Sequence, residues 1–197
     1  MELAEGKYLV RIARKAVEHY LKNKKVLEVP KDVPEKLMER KGVFVTVKKN
    51  KELRGCIGFP LPIKPLILAT IEASVEAAFF DPRFFPLQKN ELNEITFEIS
   101  VLTDPKILVV DDPKKYLKKI KIGRDGLIIQ RNFNSGLLLP QVPVELNWNV
   151  KEFLEQACLK AGLSINAWLD KETKVYTFQA EIFKEVKPRG KVVKVKL

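Results

Sequence analysis

The stretch Leu53-Arg54-Gly55-Cys56-Ile57-Gly58 is the one around which the rest of this sequence is organised. It places a thiol between two glycines, with an arginine two residues before the cysteine. Glycine permits φ > 0 or the close approach of another backbone. Gly55 and Gly58 therefore predict a sharply bent backbone around Cys56, open enough for a substrate to approach.

This stretch is the second strand of a predicted hairpin. Val43 to Val47 is apolar and β-branched, a polar turn follows, and residues 53–57 form the return strand. A loop with three prolines leads into a helix that begins at about Pro65. Asp81-Pro82 ends this helix, because the residue before proline disfavours the α region. Residues 95–102 then alternate apolar and polar side chains, as a half-buried strand does.

The second half of the chain repeats this order. Gly42-Val43-Phe44-Val45 and Gly126-Leu127-Ile128-Ile129 both open a hairpin, at a shift of 126 − 42 = 84 residues. With that shift the two hairpin turns coincide without a gap, and a helix and a strand follow each hairpin. We interpret this as a duplication of two similar halves, at about 42–103 and 126–186. Since a lone hairpin is marginal in water, we expect the halves to share one sheet and one core.

The remaining segments complete a single predicted domain over residues 5–190. Apolar residues at three- and four-residue spacing predict an N-terminal helix over residues 3–22. Asp112 and Asn149 are predicted helix N-caps, and residues 174–186 read as one long strand. Residues 187–197 form a basic tail that is either an edge strand or a frayed end.

The number and spacing of the cysteines and histidines argue against a disulfide framework and against a metal site. The chain has two cysteines, Cys56 and Cys158, without the spacing of a disulfide framework or a metal site, and one histidine. We therefore expect reduced thiols, a cytoplasmic location, no metal and no cofactor. Cys158 lies in the middle of a predicted helix, and we expect it to be part of the protein core. No apolar run reaches the ~18 residues that span a bilayer, so no membrane association is expected.

The formal net charge of +11 permits two interpretations. One is binding to nucleic acid or to an acidic substrate. The other is the lysine-rich surface of a thermophile protein. Of the 36 basic residues, 28 are lysine and 8 are arginine. Because phosphate and base recognition uses arginine disproportionately, the surface interpretation is favoured and nucleic acid is not.

Several motifs together resemble the AMMECR family, named after the Alport syndrome, midface hypoplasia and elliptocytosis chromosomal region. They are LRGCIG at 53–58, DPRF at 81–84, EISVL at 98–102, GLLLPQV at 136–142 and KAGL at 160–163. The resemblance implies an α+β fold, built from a duplicated hairpin-helix-strand unit, with a mainly antiparallel, curved or barrel-like sheet and helices packed outside. It also implies an archaeal-type protein of uncharacterised function, associated with Memo-like and radical-SAM proteins in a modification pathway.

Three groups of residues are candidates for chemistry. Cys56 is the candidate nucleophile, and Arg54, two residues away on the same strand face, would lower the pKa of its thiol. The competing interpretation is that Cys56 is a small buried apolar residue. Asp81 and Arg83 either form a salt-bridged corner or bind a carboxylate or phosphate. The third group is Gln141 with Glu145, the best acid in the chain for a catalytic role.

The resulting functional hypotheses come from different classes. The first is an enzyme or enzyme component with reactive Cys56 in a basic cleft, acting on an acidic small molecule or macromolecule. Its catalytic residues are Cys56 and Glu145, and its binding residues are Arg54, Gly55, Gly58, Asp81, Arg83 and Gln141. The alternative is a module without catalysis that binds RNA or a protein complex, or a structural partner in a multi-protein pathway.

Overall fold

The computed structural model describes residues 1–196. They divide into two compact units, the first Met1–Leu102 with Glu181–Lys196 and the second Thr103–Ala180. The helices are α1 (Leu3–Asn23), α2 (Leu66–Phe79), α3 (Tyr116–Lys119), α4 (Gln141–Glu145) and α5 (Val150–Lys160). The strands are β1 (Gly42–Lys49), β2 (Glu52–Phe59), β3 (Ile95–Leu102), β4 (Lys106–Ile107), β5 (Gly126–Arg131), β6 (Asn134–Leu138), β7 (Lys174–Phe178), β8 (Ala180–Glu185) and β9 (Val192–Val195). Short 3-10 helices connect several of these elements, including Lys89–Asn93.

The strands form two sheets. One has the order β2-β1-β3-β8-β9 and the other has the order β4-β7-β5-β6. Over residues 1–196 each sheet ends in edge strands, so neither is closed into a barrel. The prediction that both halves share one sheet and one core is wrong, because the buried apolar residues also form two clusters.

In the first unit, α2 packs against β1 and β2, and α1 packs against α2 and β3. Successive side chains of β1 point to opposite faces of the sheet. Val43, Val45 and Val47 are fully buried and face the helices, which explains this arrangement. The intervening positions of β1 carry larger or polar side chains on the opposite face of the sheet. Apolar burial on one face thus leaves the other face for polar groups, and this second face carries the candidate site.

In the second unit, α5 packs against β5 and β6. The predicted caps are confirmed: Asn149 Oδ1 accepts the N–H of Glu152, and Asp112 Oδ1 accepts the N–H of Lys114. Gly162 follows α5 with a φ of +72°, a backbone conformation that favours glycine. Cys158 is completely buried within the second apolar cluster, as predicted.

The two units repeat one order of strand pairing. In the first, β1 lies between β2 and β3, and in the second, β5 lies between β6 and β7. All four pairings are antiparallel. This common order agrees with the duplicated motif of the sequence, although the duplication itself and the single domain stay predictions.

The prediction of one long strand over residues 174–186 is wrong in one respect. The strand is interrupted at Gln179, so that β7 pairs with β5 whereas β8 joins the first sheet beside β9. Within the predicted basic tail, residues 192–195 form β9, an edge strand paired with β8. The last residue of that tail, Leu197, lies outside the described residues.

None of the helices within residues 1–196 combines the length and apolar character needed to cross a membrane.

Candidate functional site

Cys56 lies in the middle of β2, which is an edge strand of the first sheet. Its neighbour Gly55 faces α2, since a Cβ on Gly55 would lie 1.9 Å from the carbonyl oxygen of Ala77. Side chains alternate along a strand, so Cys56 points to the face of the sheet opposite α2. Cys56 is partly exposed as a residue and is not among the residues of the first apolar cluster.

A row of polar side chains crosses the sheet at this level. Thr46 of β1 lies opposite Cys56 on one side and opposite Glu98 of β3 on the other. Thr46 Oγ1 and Cys56 Sγ are 3.3 Å apart and share a hydrogen bond, and Lys48 Nζ lies 3.7 Å from Glu98 Oε2. We call Cys56, Thr46, Glu98 and Lys48 the polar row. It brings a thiol, a hydroxyl, a carboxylate and an ammonium group together on one face.

The free edge of β2 is closed by the corner Asp81-Pro82-Arg83, which follows α2. Asp81 Oδ2 accepts the backbone N–H of Cys56 at 2.9 Å, and Arg83 Nη2 donates to the carbonyl of Cys56 at 3.3 Å. The two side chains also form a fork, with Arg83 Nε donating to Asp81 Oδ1 at 2.9 Å and Arg83 Nη2 to Asp81 Oδ2 at 2.7 Å. At Cys56 the corner therefore supplies the two backbone hydrogen bonds that a further strand would supply.

The corner also determines the charge next to Cys56. Burial raises the pKa of the Asp81 carboxyl, but the hydrogen bonds from Arg83 and from the N–H of Cys56 outweigh burial and bring this pKa down to about 2. The hydrogen bond to Asp81 raises the pKa of Arg83, and the charge of the Cys56 thiolate adds to that rise. Arg83 remains half-exposed, so its guanidinium both holds the corner and faces solvent.

We expect Asp81→Asn to destabilise the protein by about 2 kcal/mol near pH 7, from the pKa difference of the folded and unfolded carboxyl. Because folding lowers this pKa, the carboxylate stabilises the fold above about pH 4, and this stabilisation is lost as the pH falls towards 2. The difference between variant and parent should therefore shrink in acid. Urea unfolding at several pH values measures it.

The control for this prediction is Asp104→Asn, which changes an exposed carboxylate. It should leave the unfolding free energy nearly unchanged at every pH. A constant difference between Asp81→Asn and the parent, from neutral pH down to acid, would contradict the assignment of the ionised carboxylate to the corner.

Arg54 has a different partner from the one expected. Its Nε and Nη2 each donate to the carboxylate of Glu91 at 3.0 Å, and Lys49 Nζ lies 3.3 Å from the same carboxylate. The register of β1 and β2 shifts between Val47 and Lys48, which interrupts the simple alternation at Arg54. Burial raises the pKa of Glu91, but hydrogen bonds from Arg54 and the N–H of Gln88 bring it down to about 2. Arg54 thus ties the 3-10 helix over residues 89–93 to β2, and a role in ligand binding stays a prediction.

The predicted bend at the glycines is wrong. Gly55 and Gly58 both lie in the extended strand β2, and the glycines with positive φ within residues 1–196 are Gly123 and Gly162. What both glycines permit is close approach: a Cβ on Gly58 would lie 2.2 Å from the carbonyl oxygen of Val43. At Gly55 the approaching backbone is that of the protein's own helix α2.

Gln141 and Glu145 belong to the second unit. Both lie in the short helix α4, in which Gln141 is buried and Glu145 is exposed. Their roles in binding and catalysis stay predictions. In the part of the chain that the structure describes, no group of three or more histidine, cysteine, aspartate or glutamate residues is placed to hold a metal ion.

Sequence reasoning missed Thr46, Glu98 and Lys48 as members of the site. The sequence does contain a signal for them, because apolar and polar residues alternate along β1 and β3 and this pattern places all three residues on the polar face. The missing information was the register, which pairs Thr46 with both Cys56 and Glu98. A shift by one residue would have moved all of these side chains to the other face.

Comparison with known proteins adds the family context. A family model described as AMMECR1 matches residues 10–183. A protein from Thermococcus kodakarensis is 57% identical over 192 residues, covering 95% of this chain and 93% of the relative. A protein from Methanocaldococcus jannaschii is 52% identical over 199 residues, covering 100% of this chain and 98% of the relative.

A solved structure extends the comparison to the fold. The crystal structure of an uncharacterized protein from Pyrococcus horikoshii matches with a TM-score of 0.98 at 50% sequence identity. The match covers 100% of this chain and 99% of that chain.

Proposed function

This chain belongs to the AMMECR1 family, and from that premise we propose that it is an enzyme or enzyme component whose reactive group is the thiol of Cys56. The substrate is an acidic small molecule or macromolecule. The observation that carries the proposal is the position of Cys56: the residue is partly exposed, its sulfur lies 3.3 Å from Thr46 Oγ1, and its carbonyl accepts a hydrogen bond from Arg83.

The chemistry of the polar row supports this proposal. The thiolate is the nucleophilic form of cysteine, and nearby cations favour it. Arg83 and Lys48 provide positive charge, which also attracts an acidic substrate. The hydroxyl of Thr46 can donate a hydrogen bond to the thiolate, and Glu98 is the carboxylate of the row for proton transfer. In this scheme Asp81 is a positioning residue, since it orients Arg83.

The other proposed residues come from the sequence. Glu145 is proposed as a second catalytic residue, acting as a general acid or base. The remaining proposed binding residues are Arg54, Gly55, Gly58 and Gln141. By its resemblance to the family, the protein is proposed to act in a modification pathway with Memo-like and radical-SAM proteins. Within residues 1–196 neither of its two cysteines forms a disulfide, which favours a reducing, cytoplasmic location.

The alternative proposal is a module without catalysis that binds RNA or a protein complex. The observation in its favour is the formal net charge of +11. Gel-shift titration of an RNA oligonucleotide against salt tests it: absence of binding at about 100 mM salt, or absence of a steep salt slope, removes this proposal.

We expect Arg83→Gln to slow the alkylation of Cys56 by iodoacetamide at neutral pH roughly three- to tenfold, because an adjacent positive charge favours the thiolate. Arg83→Lys keeps the charge but loses the fork to Asp81, and it should retain most of the parent rate. Mass spectrometry of the native protein after timed labelling measures these rates.

This comparison separates charge from geometry. Equal loss of rate in both variants would mean that the corner acts only by holding β2 in place. A parent protein whose Cys56 is not labelled without denaturant, or a rate that is insensitive to Arg83→Gln, argues against a tuned nucleophile and sinks the enzymatic proposal.

A further inference from the structure

A concave site lies in the first unit, and none of its lining residues belongs to the polar row. It is a cavity of about 400 Å³ between α1 and the turn that joins β8 to β9. Six of its lining residues are cationic and two are anionic, which gives a net charge of 6 − 2 = +4. The charged lining residues are Lys7, Arg11, Arg14, Lys15, Arg189, Lys191, Glu18 and Glu185. We call this cavity the basic pocket.

Both carboxylates of the basic pocket already have arginine partners. The Glu185 carboxylate accepts hydrogen bonds from Arg14 Nε at 2.9 Å and from Arg14 Nη2 at 2.6 Å, and both residues are buried. Glu18 lies 2.7 Å from Arg189 Nη2. The carboxylates therefore neutralise the two arginines and leave the other four cations uncompensated.

Those four cations are Lys7, Arg11, Lys15 and Lys191, and within residues 1–196 the structure records no ion pair for any of them. Three of them follow one another along α1 at intervals of four residues. An α-helix rises 1.5 Å per residue, so their Cα atoms are spaced about 6 Å apart on one face. Like charges at this spacing destabilise a helix, so the arrangement has a cost in stability.

The turn opposite α1 supplies the other wall. Gly190 N–H donates to the carbonyl of Lys187 at 2.8 Å, and Arg189 adopts a φ of +56°. A left-handed conformation is costly for a residue other than glycine. Arg189 nevertheless occupies it, and its side chain reaches both Glu18 and Asn93. The turn is thereby held to α1 and to the 3-10 helix over residues 89–93.

We propose that the basic pocket binds a small ligand that carries two or more phosphate groups. Its volume is within the range of pockets that bind small molecules. Its cations come from two opposing walls, so they can surround an anion instead of only facing solvent. Arginine and lysine are the residues with which proteins bind phosphate oxygens. Phosphates of a nucleic acid offer the same chemistry, and the experiment distinguishes the two sources.

The test uses the full chain and inorganic pyrophosphate and ATP as probes in calorimetric titration at moderate salt. The pocket variant is Lys7→Gln, Arg11→Gln and Lys15→Gln combined. Its charge-matched control is Lys22→Gln, Lys25→Gln and Lys31→Gln, which removes three exposed lysines outside the pocket. We expect the pocket variant to bind the probes at least about tenfold more weakly, and the control to change affinity less than about twofold.

Folding of the pocket variant is checked by thermal unfolding. Because the substitution removes like-charge repulsion along α1, the variant should melt at or above the temperature of the parent. Loss of binding with unchanged or increased stability then identifies a ligand site rather than a structural one.

Three outcomes overturn the proposal. The first is failure of pyrophosphate and ATP to bind the parent. The second is an equal loss of affinity in both triple variants, which reveals attraction to the overall charge. The third is that an RNA oligonucleotide binds the parent much more tightly than either probe, with a steep salt dependence, and that this binding is lost in the pocket variant. That result would assign the pocket to a nucleic-acid surface.

Discussion

Replacing Gly55 with alanine is expected to destabilise the first unit by about 3 kcal/mol or more, the upper range for overpacking a core. The added Cβ would lie 1.9 Å from the carbonyl oxygen of Ala77 and 2.9 Å from its carbonyl carbon. Both are backbone atoms of α2, so no side-chain rotation can relieve the clash. Either β2 or the end of α2 must move.

The consequence extends to the candidate site, because Cys56 follows Gly55 directly. A displaced β2 would lengthen the hydrogen bond between Cys56 Sγ and Thr46 Oγ1, now 3.3 Å. It would also disturb the bond from the N–H of Cys56 to Asp81, now 2.9 Å. We therefore expect Gly55→Ala to alter the labelling rate of Cys56 as well as the free energy of unfolding.

Urea unfolding of the parent and of Gly55→Ala measures the effect, and Leu53→Ala is the matched control. Leu53 lies on the same strand, and its side chain is 43% exposed. Its truncation should cost less than about 1 kcal/mol. Equal stability of Gly55→Ala and the parent would show that α2 does not approach β2 as closely as described.

Gly55 also illustrates how far the sequence could predict this structure. Glycine has two uses in a strand, a special φ or close approach, and composition alone does not choose between them. The glycine pattern predicts a bend with φ > 0, whereas the structure places Gly55 in an extended strand close against a helix. The deciding fact is the path of α2, which is tertiary information.

Local signals were sufficient where the physical cause is local. The proline rule placed the end of α2 before Asp81-Pro82, and side-chain capping identified the starts of two helices, at Asp112 and Asn149. In contrast, residues 174–186 are predicted as one strand, because the segments before and after Gln179 have the same β propensity. The interruption at Gln179 moves β8 into another sheet, and nothing in the local pattern indicates this.

For the candidate site, too, the sequence identifies individual residues but does not predict the contacts between them. Cys56, Asp81 and Arg83 were identified as single residues, and their side-chain types suggested a corner and a thiol. Their connection through the backbone of Cys56 depends on how the chain after α2 folds back along β2. Arg54 shows the opposite error, since proximity in sequence suggested a partner for the thiol, but its guanidinium binds Glu91.

The second large effect concerns the two thiols, which have opposite environments. We expect iodoacetamide to label Cys56 at least about a hundredfold faster than Cys158 in the native protein near pH 7, because only a thiolate that reagent can reach reacts. Cys158 has no exposed surface, and burial raises the pKa of its thiol to about 11. Cys56 is partly exposed on β2.

The size of this contrast follows from two separate factors. A thiol with a pKa of about 11 is ionised in only about one molecule in ten thousand at neutral pH, against a few per cent for an ordinary cysteine. Burial adds a second factor, because reagent reaches Cys158 only when the second unit opens locally. The product of the two factors makes labelling of Cys158 a measure of unfolding rather than of thiol chemistry.

Mass spectrometry resolves the two sites directly, and single variants assign them. Cys56→Ala should take up almost no reagent until denaturant is added, whereas Cys158→Ala should label like the parent. Both thiols should react in denaturant. Rapid labelling of Cys158 in the folded protein would contradict its placement in the core of the second unit. Slow labelling of both would leave Cys56 without the access that a nucleophile needs, because a reagent smaller than any acidic macromolecule would already be excluded.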